Sequence, residues 1–207
     1  MYRSQLRLDR RNPSVRQALG NCGDMHRNLM KAFDIPDHTP NARESISLLY
    51  RLMEQGNQIQ LYVMSNEMPD WTRVKGVEPL SEVLCVDSLK DKLEEGNLFR
   101  FSLFASPTKK IRRDGKLSAR VYLRSPEERS DWLARHAESG GFEVVSGREI
   151  TEKQVSGRKS GSEIHYTGVL FDGVLKITDQ ERFWQTYSTG IGAGKAYGLG
   201  MLMIARY

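Results

Sequence analysis

The chain of 207 residues is long enough for one large domain or two small ones, and its 39% hydrophobic and 28% charged residues are ordinary for a globular protein. No apolar run reaches the roughly 18 residues of a membrane span, the N-terminus lacks a secretory apolar region, and Cys22 and Cys85 stand apart without metal-ligand spacing, so a cytoplasmic protein with reduced thiols and no membrane partner is expected. The net charge of +5 is bunched in Arg3 to Arg16, Lys109 to Arg120 and Lys153 to Lys159, and bunched cations favour a polyanion, most often nucleic acid.

Tyr2 to Leu8 alternates Tyr2, Ser4, Leu6 and Leu8 against Arg3, Gln5 and Arg7, the pattern of a strand with one wet, basic face. Asn12-Pro13-Ser14 ends it, and a short helical piece over Val15 to Leu19 leads to Gly20. Asn21 reads as a helix N-cap, with Asp24 in the first turn where its charge suits the free amides and the positive dipole end. The predicted helix runs to Phe33 on the apolar stripe Met25, Leu29, Ala32 and Phe33. His26 lies about 100° round from Met25, on the shoulder of that stripe, where packing can hold the ring while solvent reaches it.

Asp34 to Ala42, with Pro36 and Pro40, is a loop. Ile46 to Leu52 and Ile59 to Met64 are predicted strands about a turn at Gln55-Gly56-Asn57. After Trp71 the chain is irregular until a short extended piece over Leu80 to Val86. Strand, helix, strand, strand is the start of a ferredoxin-like βαββαβ unit. The polar stretch Asp87 to Asn97 is taken as the junction, giving domains 1–90 and 91–207.

Leu98 to Ala105 alternates as a strand, and Lys109 to Lys116 reads as a basic loop turning at Asp114-Gly115 before an extended Val121 to Leu123. Ser125-Pro126-Glu127-Glu128 announces a helix carrying Trp132, Leu133 and Ala137 inward and stopping at Gly140-Gly141. Phe142 to Val145, Glu149 to Val155, Ile164 to Leu170 and Val174 to Ile177 are predicted strands, with Ser156 to Ser162 as a tip bearing Arg158 and Lys159. A last helix, Asp179 to Tyr187 with Phe183 and Trp184 inward, delivers the chain to Gly190 to Tyr207. That stretch holds Gly190, Gly192, Gly194, Gly198 and Gly200 around Lys195 and Tyr197 and feeds a terminal strand from Met201 to Ala205. Glycines there permit positive φ and close approach of a phosphate. Ala196 after Lys195, and a strand rather than a helix after the glycines, exclude the triphosphate and dinucleotide loops. The fold class is α+β, two such sandwiches in tandem.

No histidines and carboxylates gather at metal-ligand spacing, so neither a metal nor a cofactor is implied. Of His26, His38, His136 and His165, only His26 falls in a predicted helix N-terminal turn near a basic strand. RNA brings its own nucleophile, the 2′-hydroxyl. A ribonuclease then needs only proton transfer, which histidine suits near neutrality, and cations for the phosphorane.

Leu6-Arg7-Leu8-Asp9, Asp24-Met25-His26-Arg27 running on to Lys31-Ala32-Phe33, the Phe99 to Leu103 strand with Ala105-Ser106-Pro107-Thr108-Lys109, and the terminal Gly190 to Leu202 together resemble the CRISPR-associated CasE family from end to end. These are the precursor-crRNA endoribonucleases of type I-E Cascade. The resemblance implies two tandem ferredoxin-like (RRM-like) domains and metal-independent cleavage at the base of the repeat stem-loop, leaving a 2′,3′-cyclic phosphate and a 5′-hydroxyl. It further implies that the protein keeps its crRNA and joins other Cascade subunits, including the backbone subunit. Nothing points to a coiled coil, so the free protein is expected to be a monomer.

By the same resemblance His26 is the catalytic histidine, and the Arg158-Lys159 tip is the basic hairpin placed in the major groove of the stem. Lys109, Lys110, Arg112 and Arg113 would follow the RNA backbone, with Arg3, Arg27, Gly192, Gly194 and Lys195 as further contacts. Members often carry a Pro-Tyr pair where this chain has Cys22-Gly23, so the second proton donor is sought elsewhere, in Lys31 first and then Tyr2 or Lys195. The same departure makes a non-cleaving, hairpin-binding Cascade subunit the rival expectation.

Overall fold

The structure, a computed structural model, describes residues 1–35, 45–56, 58–113, 116–159 and 161–207. His38, Asn57, the Asp114-Gly115 turn and most of the Asp34 to Ala42 loop lie outside them. β1 (Tyr2–Leu8) follows its alternation, with Ser4, Leu6 and Leu8 buried and Arg3 exposed. Asn12 caps α1 (Pro13–Gly20) by accepting the Ser14 N–H, and Pro13 needs no partner at the first turn. Asn21 caps α2 (Cys22–Met30). This helix is shorter than the expected run to Phe33, because the chain tightens after Met30 into i→i−3 bonds, Ala32 to Leu29 and Phe33 to Met30. Those bonds still bury Ala32 and Phe33.

β2 (Leu49–Gln55) begins later than expected, since Ser47 takes a φ of 48° and breaks the extended run after Ile46. It pairs antiparallel with β3 (Gln58–Ser65), which pairs with β1 from Tyr2 opposite Ser65 to Leu8 opposite Ile59. In place of one extended piece over Leu80 to Val86 there are two short strands on the other edge of β1, β4 (Val77–Pro79) and β5 (Leu84–Cys85). The order β2-β3-β1-β4 puts β1 inside the sheet, as a ferredoxin-like unit requires. Where a second helix would cover it, a 3₁₀ turn, Trp71–Arg73, inserts the buried Trp71. The indole meets Phe33 edge-on at 6.4 Å and donates its N–H to Ser4 Oγ at 2.9 Å, so no polar atom of that anchor is stranded.

The second half runs β6 (Leu98–Ala105), β7 (Thr108–Arg113), β8 (Lys116–Tyr122), α3 (Pro126–Ser139), β9 (Phe142–Lys159), β10 (Ser162–Ile177), α4 (Gln180–Thr189) and β11 (Leu202–Arg206). The sheet order β11-β6-β10-β9 is the ferredoxin-like order again, with β7 and β8 as a separate ribbon. That ribbon corrects the predicted basic loop. Thr108, Ile111, Val121 and Tyr122 supply strand propensity, and exposed Lys109 and Lys110 keep their charges in water. Four short strands predicted for residues 142–177 are two long ones. Gly147 and Gly173, which fall between the predicted pieces, lie within them; a Cβ on Gly173 would stand 2.0 Å from the Ser146 carbonyl oxygen, so glycine permits a close backbone crossing. In α4, Phe183 is buried as expected, while Trp184 is half-buried and Tyr187, one turn after Phe183, takes the second buried place.

Packing divides the chain into two compact units, neither of them a single run. The first is Met1–Lys90 with Val155–Tyr166 and Lys195–Gly198; the second is Asp91–Gln154, Thr167–Gly194 and Leu199–Tyr207. The hairpin tip and part of the glycine-rich loop, expected within 91–207, thus pack with the first unit. No helix among the described residues is long and apolar enough to cross a membrane. Gly173→Ala, which forces a methyl against Ser146, is expected to lower the stability of the second unit by about 2 kcal/mol in urea unfolding followed by circular dichroism.

Candidate functional site

The first turn of α2 is built around Asn21. Its Oδ1 accepts the Gly23 N–H at 3.0 Å, the usual N-cap bond, and also the Arg158 N–H at 3.0 Å from the tip of the β9–β10 hairpin. Its Nδ2 donates to Asp24 Oδ2 at 3.1 Å. Asp24, 8% exposed, also accepts from Gln17 Nε2 at 2.8 Å and from Arg27 Nη1 at 2.8 Å. A nearly buried carboxylate with three donors and a helix N-terminus is fully compensated, and it fixes α1 to α2.

The hairpin reaches this turn because two residues lack side chains. A Cβ on Gly23 would stand 2.2 Å from the Arg158 carbonyl oxygen. A Cβ on Gly157 would stand 2.4 Å from Asn21 Oδ1 and 2.8 Å from the Cys22 nitrogen. Both distances are below any carbon contact, so glycine at both positions is a condition of the docking.

His26, one turn further along α2, is half-buried. Its imidazole meets the Tyr197 ring edge-on, with centroids 6.3 Å apart and planes at 76°. Tyr197 ends a short 3₁₀ turn, Lys195–Tyr197, and its ring also meets Tyr166 of β10 at 5.9 Å. The next residue, Gly198, has a φ of 83° and would bring a Cβ to 2.9 Å from the Tyr50 ring, so the loop lies flat on that ring. Burial pushes the Tyr50 phenol well above its usual range, and Cys22 and Tyr197 add in the same direction. The Cys22 thiol is also raised by burial.

The other expected site residues fall in several places. Lys31 is the exposed C-cap of α2, its Nζ donating to Asn28 Oδ1 at 3.0 Å. Arg3 is exposed on β1, and Arg27 is exposed yet paired with Asp24. Arg158 is exposed, with its guanidinium 3.7 Å from Glu163. Lys159 ends β9 beside it. In the second unit Lys109 contacts Glu128 at 2.8 Å, Lys110 is exposed, and Arg112 and Arg113 continue β7 opposite Leu117 and Lys116. Gly192 and Gly194 both take positive φ, 82° and 76°, and lie in the second unit, whereas Lys195 packs in the first. His136 meets Trp132 with centroids 4.4 Å apart and planes tilted by 58°, and His165 is exposed beside Glu163. No group of three or more His, Cys, Asp or Glu among the described residues stands close enough to hold a metal ion.

Tyr197, Tyr166, Tyr50 and Gly157 were not singled out as site residues by their spacing. An aromatic inside the Lys195 to Gly200 motif is the signal that was present, since a glycine loop has no core of its own in which to bury a ring.

Two ferredoxin-like folds in tandem, the first presenting a histidine and a basic hairpin tip from one capped helix end, define the class. The chain belongs to the CRISPR associated protein family, which it matches over residues 1–206. It is 32% identical to the CRISPR-associated endoribonuclease Cse3 of Thermus thermophilus, across 99% of this chain and all of that protein. It is also similar to CRISPR endoribonuclease Cse3 bound to a 19-nucleotide RNA, with 30% identity and a TM-score of 0.82 over 99% and 98% of the two chains. A chain of a CRISPR RNA-guided surveillance complex in a pre-nicking state is 26% identical, with a TM-score of 0.74 and full coverage of both chains.

Gly23→Ala places its methyl on the Arg158 carbonyl. Amide hydrogen exchange at residues 155–158 is expected to accelerate by about tenfold or more in that variant, as the bond from Arg158 to Asn21 breaks. Unchanged protection there would contradict the docking.

Proposed function

We propose that this chain is an endoribonuclease that cuts CRISPR precursor RNA at the base of a repeat hairpin, by 2′-hydroxyl attack and without a metal ion. The observation that carries the reading is His26, held half-buried by Tyr197 on the same helix whose N-terminus docks the Arg158 hairpin. That arrangement couples a proton-transfer group to a groove-entering cation. Endoribonuclease activity in Cse3, together with Cse3 structures bound to RNA, supports the reading.

In this mechanism Arg158 and Lys159 enter the major groove of the stem, while Arg3, Arg27, Lys110, Arg112 and Arg113 line the backbone. Lys109 joins them by exchanging Glu128 for phosphate. Gly192 and Gly194 offer backbone amides to the RNA, and Lys195 offers a charge. His26 takes the 2′-hydroxyl proton as that oxygen attacks the adjacent phosphorus. Lys31, carried on the C-cap, supplies charge to the phosphorane. The products are a 2′,3′-cyclic phosphate and a 5′-hydroxyl. The cut RNA stays bound, and the protein enters a surveillance complex with the backbone subunit, in line with the likeness to a chain of such a complex. The alternative of hairpin binding without cleavage is favoured by one feature, the absent side chain at Gly23.

In EDTA the wild type is expected to cleave a labelled repeat hairpin, and His26→Ala to lose about 100-fold or more in rate while binding it with near-unchanged affinity. A single 2′-deoxy at the scissile nucleotide should abolish cutting. Tight binding with no wild-type cleavage would establish the alternative. Arg158→Ala is expected to weaken binding and to lower the slope of log affinity against log salt by about one for each phosphate that is no longer neutralised. An unchanged slope would remove that residue from the interface.

A further inference from the structure

The proposed cleavage leaves one proton unassigned, the one that the departing 5′-oxygen needs. We infer that Tyr197 supplies it, acting as the general acid opposite His26. The inference rests on that cleavage reading and on four features of the first unit.

Position 23 cannot provide the group, because it is glycine and the space beyond its Cα is filled by the Arg158 carbonyl, 2.2 Å from a built Cβ. Restoring a side chain there would eject the hairpin. Lys31 serves as a charge and not as this donor: five residues on from His26 it lies about 140° round the helix, and its Nζ already donates to Asn28 Oδ1. Tyr197 does meet His26 in an edge-on ring pair, at a centroid distance of 6.3 Å. The two half-buried rings are therefore neighbours, as an acid and a base acting on a single phosphodiester must be.

The fourth feature is the mounting. Tyr197 is fixed by the 3₁₀ turn that it ends, by Gly198 lying against Tyr50 after it, and by Tyr166 with ring centroids 5.9 Å apart. A ring that served only as packing would not need a half-open position beside this histidine. A fixed ring beside the base loses little orientational freedom when substrate binds.

The protons and electrons balance. His26 removes the 2′-hydroxyl proton, and the 2′-oxygen pair forms the new bond to phosphorus. The bond from phosphorus to the 5′-oxygen breaks with its pair going to that oxygen, which takes the Tyr197 phenolic proton. The phenolate then recovers a proton from the His26 imidazolium, and both residues return to their starting states. Phosphodiester transesterification consumes nothing else.

The test uses Tyr197→Phe, which keeps the ring and removes only the hydroxyl, on two hairpins, one natural and one with sulfur in place of the bridging 5′-oxygen at the scissile bond. A thiol ionises near pH 8.5, so its thiolate departs without a proton. The expected result is a loss of about 100-fold on the natural hairpin, with cleavage of the sulfur hairpin within a few-fold of wild type and unchanged hairpin affinity. Equal losses on both substrates would overturn the inference by making Tyr197 a support for the ring of His26. Full activity on both would also overturn it. A wild type that cleaves neither substrate would instead refute the cleavage reading itself, and this inference with it.

Discussion

The side chain of Asn21 is the point on which the site depends. One oxygen accepts two backbone N–H groups, one that starts α2 and one that ends the approach of the β9–β10 hairpin. An N-cap is worth about 1 kcal/mol to its helix. Here the same acceptor also decides where a distant segment of chain, 137 residues on, comes to rest. Gly23 and Gly157 remove the two side chains that would hold those backbones apart. Asp24 completes the turn by binding α1, the cap and Arg27 together, so that His26 rises from a helix end with little freedom to move.

From that point the chemistry follows the packing. A histidine on the shoulder of the apolar stripe of Met25 and Leu29 meets Tyr197 with its ring. The glycine-rich loop serves more than one purpose. Its first part belongs to the second unit, where Ala193 bridges to Ser106, and its middle part, Lys195–Gly198, sets an aromatic ring against the histidine. Buried Arg129, clasped by Glu149 through two bonds of 2.8 and 2.6 Å, is by contrast a cation committed to tying α3 to β9 and closed to a polyanion.

Much of the fold was legible because local chemistry and tertiary packing agree. β1, the caps at Asn21 and Ser125, the inward Trp132, Leu133 and Phe183, and the strand, helix, strand, strand order all follow from period and end signals. The departures share a cause, a local signal taken without its partner strand. Short strands were expected on either side of Gly147 and Gly173, where glycine instead allows long strands to cross closely, and the basic run from Lys109 was read as loop, where pairing with β8 makes it a ribbon that keeps Lys109 and Lys110 in water. His26 was legible from its place on the helix and from the family likeness. Tyr197 was not, because its importance comes from a meeting between residues 171 positions apart, and no local pattern encodes it.

RNA that is cut by its own 2′-hydroxyl at a histidine site carries the record of that chemistry in its new ends. The most direct measurement is therefore mass spectrometry of the strand ends after wild-type cleavage of a repeat hairpin. A 2′,3′-cyclic phosphate on one fragment and a 5′-hydroxyl on the other is the predicted result. A 3′-hydroxyl facing a 5′-phosphate would contradict it, since those ends require attack by water from outside the RNA.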